Sequence, residues 1–330
     1  MANSYHMTYL SNKRMYESLV AIDNSNNKPS CQTAGGVTNL NEISNILDHK
    51  VLDFNESNTS SGLLEIVEQF PDLELTSIKY SSDGLSIHGY IFRNKKIMHE
   101  LPTLVFCRGG NNISEINFKG GKYKLGEIRP SLFYLFQEIL QLVNDGKVIV
   151  FASNYRGSTH SEGRDEFGGQ DVNDIINLYP IIEKYKYSDH NRIALYGWSR
   201  GSMMALLVHR RVDWVRCLIV VAGCVDYIAE KEYRPQFSEF LSDEFDLDDD
   251  KLNERSAINW VDELSQSPIL ILHGSADKRV SVDNAYKLEK RLQDNDIPSK
   301  MVIYPEGDHG LNNYRDDVKD EVIKWIDSFL

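Results

Sequence analysis

Cysteine is scarce in this 330-residue chain and is not arranged for disulfide or metal chemistry. The four that occur, Cys31, Cys107, Cys217 and Cys224, include no C-x-x-C pair, so neither a disulfide framework nor a zinc site is expected. Cys107 and Cys217 sit in or beside apolar runs, where a thiol behaves as a small hydrophobe. No apolar run approaches the roughly 18 residues of a membrane span. The opening MANSYHMTYLSNKRM also lacks the uninterrupted apolar stretch of a secretory signal. Positive charge is in deficit: 36 Lys and Arg against 49 Asp and Glu give a net charge of −13. That balance argues against nucleic acid or an anionic membrane as partner, because both need clustered cations. A cytoplasmic location is expected, and association into a homo-oligomer stays open.

What is present is a long chain with 41% apolar and 26% charged residues, enough for a large buried core. Its centre is IALYGWSRGSMMAL, residues 193–206. An apolar strand-like run is followed by Gly197-Trp198-Ser199-Arg200-Gly201, which fits G-x-S-x-G, and then by the start of a buried helix. Strand, sharp turn and helix form the setting of a nucleophile elbow. The turn strains the serine backbone, so the residues two before and two after must be small. In return the Ser199 hydroxyl projects from the sheet, beside the N–H of Arg200 at a helix N-terminus, where an oxyanion is stabilised.

The remaining chain builds a sheet around this element. Residues 75–80 and 86–92 alternate in polarity across Ser-Ser-Asp-Gly, a hairpin turn signal. Short apolar runs at 103–107, 148–152, 193–196, 217–222 and 269–273, with 300–304, supply six further strands. Helices are expected at 131–143, 171–187, 283–293 and 315–329. Alternating strands and helices predict an α/β fold with an eight-stranded, mostly parallel, doubly wound sheet. Residues 1–74 read as a small, mostly helical N-terminal extension, with helix-like spacing at 7–22, 40–54 and 62–70. The domain proper is then 75–330. Within it, 226–264 interrupts the alternation with an acidic cluster, Asp243 to Asp250, and reads either as a lid or as a solvated face.

A serine hydroxyl needs a base to take its proton and an acid to orient that base. In a sheet of this kind both partners follow the serine, acid first and histidine last, on loops after strands. Asp277 lies just beyond the strand 269–273, and His309 sits in the glycine-flanked loop after the last strand. Asp283 reads as the cap of the next helix, His273 as structural packing, and His160 precedes the serine. The second oxyanion donor should come from the loop after strand 103–107, Arg108-Gly109-Gly110. Gly110, with Gly109 beside it, is that donor unless the pair is a plain turn. Arg108 either adds positive charge near the oxyanion or forms a structural ion pair. Trp198 and Arg108 are the candidate substrate contacts.

NYRGS (154–158), SEGRDEFGGQDVNDI (161–175), YGWSRGSMM (196–204), HGSADKRV (273–280) and YPEGDHGL (304–311) together resemble the catalytic domain of the prolyl oligopeptidase (S9) family of α/β-hydrolases. The resemblance runs from about residue 75 to 330, and implies triad roles for Ser199, Asp277 and His309. Three departures stand out. Arg108 occupies the place of an oxyanion-stabilising tyrosine or of the histidine in His-Gly-Gly. Gly201-Ser202 replaces a glycine pair. The residues before 75 are too few for a β-propeller, whose size filter and N-terminus-binding groups are therefore expected to be missing.

The resemblance implies a peptidase, whereas the residues themselves imply an acyl hydrolase. The expected enzyme is a serine hydrolase acting through an acyl-enzyme on a short peptide, an acylated amino acid or a small ester, with no metal or organic cofactor. A carboxylesterase or a hydrolase tailoring a secondary metabolite is the alternative. A catalytically dead binding module is a distant third, because no triad member has been lost.

Overall fold

Nine strands form one sheet in the order β1-β2-β3-β5-β4-β6-β7-β8-β9. The computed structural model describes residues 39–51, 69–110, 137–158 and 160–330. The strands are β1 (Ile46–Val51), β2 (Leu73–Ser82), β3 (Leu85–Asn94), β4 (Leu101–Cys107), β5 (Ile149–Ser153), β6 (Ser188–Trp198), β7 (Val215–Val221), β8 (Ile269–Gly274) and β9 (Ser299–Tyr304). From β5 across to β9 all pairings are parallel, while β1, β2 and β3 join antiparallel. The β2–β3 hairpin turns at Asp83 (φ 50°) and Gly84 (φ 80°), two left-handed residues that match the strand twist.

The parallel strands are apolar on both faces because helices cover both sides. Alternation along β6 sends Ile193 and Leu195 to one core, and Ala194, Tyr196 and Trp198 to the other. In β8, Ile269 and Ile271 divide from Leu270 and Leu272 in the same way. The described helices are α1 (Gln137–Asn144), α2 (Val172–Ile176), α3 (Tyr179–Lys184), α4 (Arg200–His209), α5 (Tyr227–Tyr233), α6 (Pro235–Phe245), α7 (Asp249–Arg255), α8 (Asp283–Asp294) and α9 (Arg315–Phe329). Helices α5, α6 and α7 lie within the expected 226–264 insertion. No helix among the described residues is long and apolar enough to cross a membrane.

Three expectations change. The sheet has nine strands rather than eight, because part of the helix expected over 40–54 is instead a short 3-10 turn (Leu40–Glu42) followed by strand β1. The helix expected over 171–187 is two, α2 and α3, because Pro180 in the first turn of α3 has no N–H to continue the ladder. Asp283 does not cap α8: Val282 is the N-cap and Asp283 is its first-turn acid. The helix expected at 7–22, all but the last two residues of that expected at 62–70, the first residues of that expected at 131–143, and Cys31 lie outside the described residues.

The chain runs from β4 to β5 on one side and returns to β6 on the other. This reversal opens a crevice beyond the carboxyl ends of β4 and β6, where ligands bind in open α/β sheets.

Candidate active site

Ser199 stands at that crevice, between the end of β6 and α4, with φ 56° and ψ −121°. Its neighbours explain how a side-chain-bearing residue is held there. A Cβ on Gly197 would sit 2.4 Å from the Gly201 carbonyl oxygen, and one on Gly201 would sit 1.8 Å from that of Cys107. Strand β6, the turn and helix α4 therefore approach so closely that only glycine fits on either side. The Ser199 N–H donates to the Val221 carbonyl at 2.8 Å, which pins the turn to β7. Ser202, in place of a second glycine, is accommodated because position 223 is glycine: its Cβ is 2.6 Å from where a Cβ on Gly223 would be. Its hydroxyl lies 2.9 Å from the carbonyls of both Gly197 and Val221.

His309 meets the serine from the loop after β9. Its Nε2 is 3.0 Å from Ser199 Oγ, and its Nδ1 is 2.7 Å from Asp277 Oδ2. Asp277 lies on the loop after β8 and is buried. Its other oxygen accepts the N–H groups of Arg279 (2.7 Å) and Val280 (3.0 Å), which sets the carboxylate plane. Burial works to raise this carboxyl, but hydrogen bonds from His273 and His309 outweigh it and hold the group well below the usual carboxylate range. The acid and histidine loops dock by a glycine contact: a Cβ on Gly274 would lie 2.2 Å from the Gly307 carbonyl oxygen. That carbonyl accepts the Ala276 N–H at 3.0 Å. Asp308 braces the turn beyond the imidazole by accepting from the Asn312 backbone (3.0 Å) and side-chain amide (2.7 Å).

The loop after β4 completes the rim. Gly109 is close-packed there, since a Cβ on it would lie 2.9 Å from the Trp198 carbonyl oxygen and 3.3 Å from Ser199 Cβ. Gly110 follows with φ +72°. Ser199, Asp277, His309, Arg200, Gly109 and Gly110 are thus brought to one place. Trp198 is 4% exposed and packs in the core beneath the site. The Arg108 guanidinium turns toward the NYRGS loop, donating to the Asn154 carbonyl at 2.7 Å.

Several contacts around the site had no sequence signal. His273 is buried with Nε2 3.2 Å from Asp277 Oδ2 and 3.1 Å from the Val280 carbonyl, so it backs the acid as well as packing. Tyr233 of α5 donates its hydroxyl to the Asp277 carbonyl at 2.6 Å, linking the 226–264 insertion to the acid loop. The Arg200 side chain, buried behind its own backbone N–H, grips Asp165 with both prongs (2.5 and 2.8 Å) and Asp171 at 2.6 Å. Burial raises the Asp165 carboxyl, but the Arg200 charge overrides it and keeps the group below its ordinary value. The SEGRDEFGGQDVNDI motif thereby acquires a structural meaning. Two of its acids hold Arg200 and a third, Asp174, pairs with Arg156 of NYRGS at 2.7 Å. Only the identities of these residues were legible in advance, because ion-pair partners distant in sequence are chosen by the fold.

A strained serine, an imidazole between it and a buried carboxylate, and backbone N–H groups at the rim make an arrangement suited to acyl transfer. Comparison with known proteins finds a family and several relatives. The Prolyl oligopeptidase family matches residues 134–330. The uncharacterized peptidase YtmA of Bacillus subtilis is 26% identical over 242 residues, 72% of this chain and 86% of that protein. Human dipeptidyl peptidase 8 is 25% identical over 245 residues, 70% of this chain but 25% of that protein. The Bacillus subtilis peptidase YuxL is likewise spanned over only 39% of its length. In fold, the acylaminoacyl peptidase of Pyrococcus horikoshii superposes with a TM-score of 0.65 at 18% identity, over 80% of this chain and 43% of that one. Porphyromonas gingivalis dipeptidyl peptidase 4 gives 0.64 at 20% identity, over 84% and 38%.

Proposed function

The chain belongs to the prolyl oligopeptidase family, and from that premise we propose that it is a serine peptidase in which Ser199, His309 and Asp277 form the catalytic triad. The observation that carries the reading is the continuous chain of contacts from Ser199 Oγ through His309 to Asp277, at 3.0 and 2.7 Å.

In the proposed reaction Ser199 Oγ attacks the scissile carbonyl carbon while His309 Nε2 takes the hydroxyl proton. Asp277 fixes the imidazole tautomer through Nδ1–H and stabilises the imidazolium. The carbonyl oxygen becomes an oxyanion held by the N–H groups of Arg200 and Gly110. Collapse of the tetrahedral intermediate breaks the bond to the leaving group, which receives the proton from His309. Water, deprotonated by the same imidazole, then attacks the acyl-serine, releases the acid and returns the proton to Ser199. Short peptides or acylated amino acids are the proposed substrates. The names of the relatives, dipeptidyl and acylaminoacyl peptidases, support that class.

Labelling with a fluorophosphonate tests the reading directly. The wild type should be modified at Ser199 and Ser199→Ala should not; an unlabelled wild type would reject the serine hydrolase assignment. Turnover of aminoacyl and acyl-aminoacyl p-nitroanilides then tests the substrate class. Inert anilides beside rapidly cleaved p-nitrophenyl esters would make the protein an esterase instead.

A further inference from the structure

We propose that Arg108 is a positioning residue that aims the second oxyanion donor: its guanidinium holds the Gly109 carbonyl and so fixes the peptide plane that carries the Gly110 N–H. The inference rests on the serine hydrolase reading and concerns a role that none of the sequence readings of Arg108 contained.

The physical problem lies in the pair Gly109-Gly110. Glycine crosses freely between positive and negative φ, so the peptide joining two glycines has little intrinsic preference for one face over the other. Gly110 already occupies the left-handed region at φ +72°. Across a planar trans peptide the C=O of one residue and the N–H of the next point in opposite directions, and no cis bond is present among the described residues. Whatever grips the Gly109 oxygen from behind therefore directs the Gly110 N–H forward. If that grip were lost, the same plane could turn a carbonyl dipole toward the developing negative charge, which would oppose catalysis.

Arg108 supplies the grip, with its two prongs divided between two tasks. Nη1 donates to the Gly109 carbonyl at 3.2 Å. Nη2 is anchored on the NYRGS loop after β5, donating to the Asn154 carbonyl at 2.7 Å and to Ser158 Oγ at 3.3 Å. The guanidinium carbon lies 4.5 Å from the ring centroid of Tyr155, and the Tyr155 hydroxyl donates back to the Arg108 carbonyl at 3.1 Å. Arg108 is only 8% exposed, so these bonds form largely out of water. On the far side of Gly110, Arg200 Nη1 donates to the Gly110 carbonyl at 3.2 Å. The three consecutive carbonyls of residues 108, 109 and 110 thus each have a side-chain donor. A lysine would keep the charge but has one nitrogen where this task uses two divergent ones.

Steady-state kinetics of Arg108→Met and Arg108→Lys, beside the wild type, provide the test. An alignment role predicts that kcat falls roughly 10- to 100-fold in both, since loss of a whole oxyanion donor costs about 100- to 1000-fold. KM should stay within about threefold, because the hole acts on the transition state rather than on bound substrate. The inhibition constant of a peptidyl trifluoromethyl ketone, whose adduct places an oxyanion in the hole, should weaken in parallel with kcat. Wild-type kcat in a folded Arg108→Met protein would overturn the proposal. So would full activity in Arg108→Lys, which would make charge alone sufficient. If Arg108→Met does not fold, Arg108→Lys decides by the same two outcomes. A wild type that neither takes the fluorophosphonate nor turns over any substrate would instead fell the hydrolase reading and this inference with it, a result distinct from an active enzyme indifferent to residue 108.

Discussion

Each oxygen of Asp277 has its own task, one facing His309 and one accepting two backbone N–H groups. Asp277→Asn would place an amide N–H where an acceptor is required and favour the wrong imidazole tautomer. We expect kcat to fall about 10⁴-fold with the fold intact, measured as turnover beside a thermal melt. The same carboxylate has a signature in stability. Its pKa is lowered on folding from the ordinary 3.8, so its contribution is complete above that pH and is lost as the pH falls below it. Thermal midpoints in this acid range should depend less steeply on pH in Asp277→Asn than in the wild type. At this scale the sequence was informative wherever geometry leaves no choice of residue. Only glycine fits at 197 and 201, and the loop after β9 brings His309 to Ser199. It left the role of the Arg108 side chain open and assigned none to that of Arg200, because a guanidinium reads the same whether it faces solvent, substrate or a carbonyl across the fold.

Among the elements, those buried on both faces were the easiest to read, and an edge strand was not. In β1 the partly buried residues are Ile46 and His49, three apart, with Leu47 and Val51 more than half exposed. The spacing imitates a helical turn. A register shift between Ile46 and Asp48 further disturbs the alternation that marks a strand. The α2–α3 break was missed for the opposite reason, since apolar spacing continues through Pro180 although the hydrogen-bond ladder does not. Element packing also yields a prediction at the loops after β8 and β9. Gly274→Ala places a Cβ 2.2 Å from the Gly307 oxygen, so the histidine loop must move away from the acid loop. Stability should drop by about 1–3 kcal/mol. A displacement approaching 1 Å at His309 should reduce kcat by roughly 10- to 100-fold, read from urea melts and from the rate of fluorophosphonate labelling.

For the molecule as a whole, pH acts through buried histidines as well as carboxylates. Burial lowers both His88 and His209 from 6.5 to about 4, with His160 and Lys79 adding to the effect at His88. The neutral His88 ring is satisfied on both sides, by Asn154 Nδ2 at 2.9 Å and Ser77 Oγ at 2.8 Å. Between about pH 4 and 6.5 the unfolded chain binds these protons and the folded chain does not, so stability rises with pH across that window. Each histidine contributes a slope of up to about 1.4 kcal/mol per pH unit. Urea midpoints should fall on acidification through this interval, and His209→Gln should flatten the dependence. An unchanged slope would mean that His209 titrates alike in both states.

The order of strands in the sheet has a temporal consequence. The groups that meet at Ser199 arrive from the ends of β4, β6, β8 and β9, and the imidazole comes from position 309. A nascent polypeptide emerging from the ribosome carries Ser199, its glycines and the loop after β4 before the imidazole that contacts Ser199 has been translated. On the proposed triad, a ribosome-bound chain that stops short of residue 309 should not take a fluorophosphonate, whereas one long enough to dock β9 and present His309 to Ser199 should.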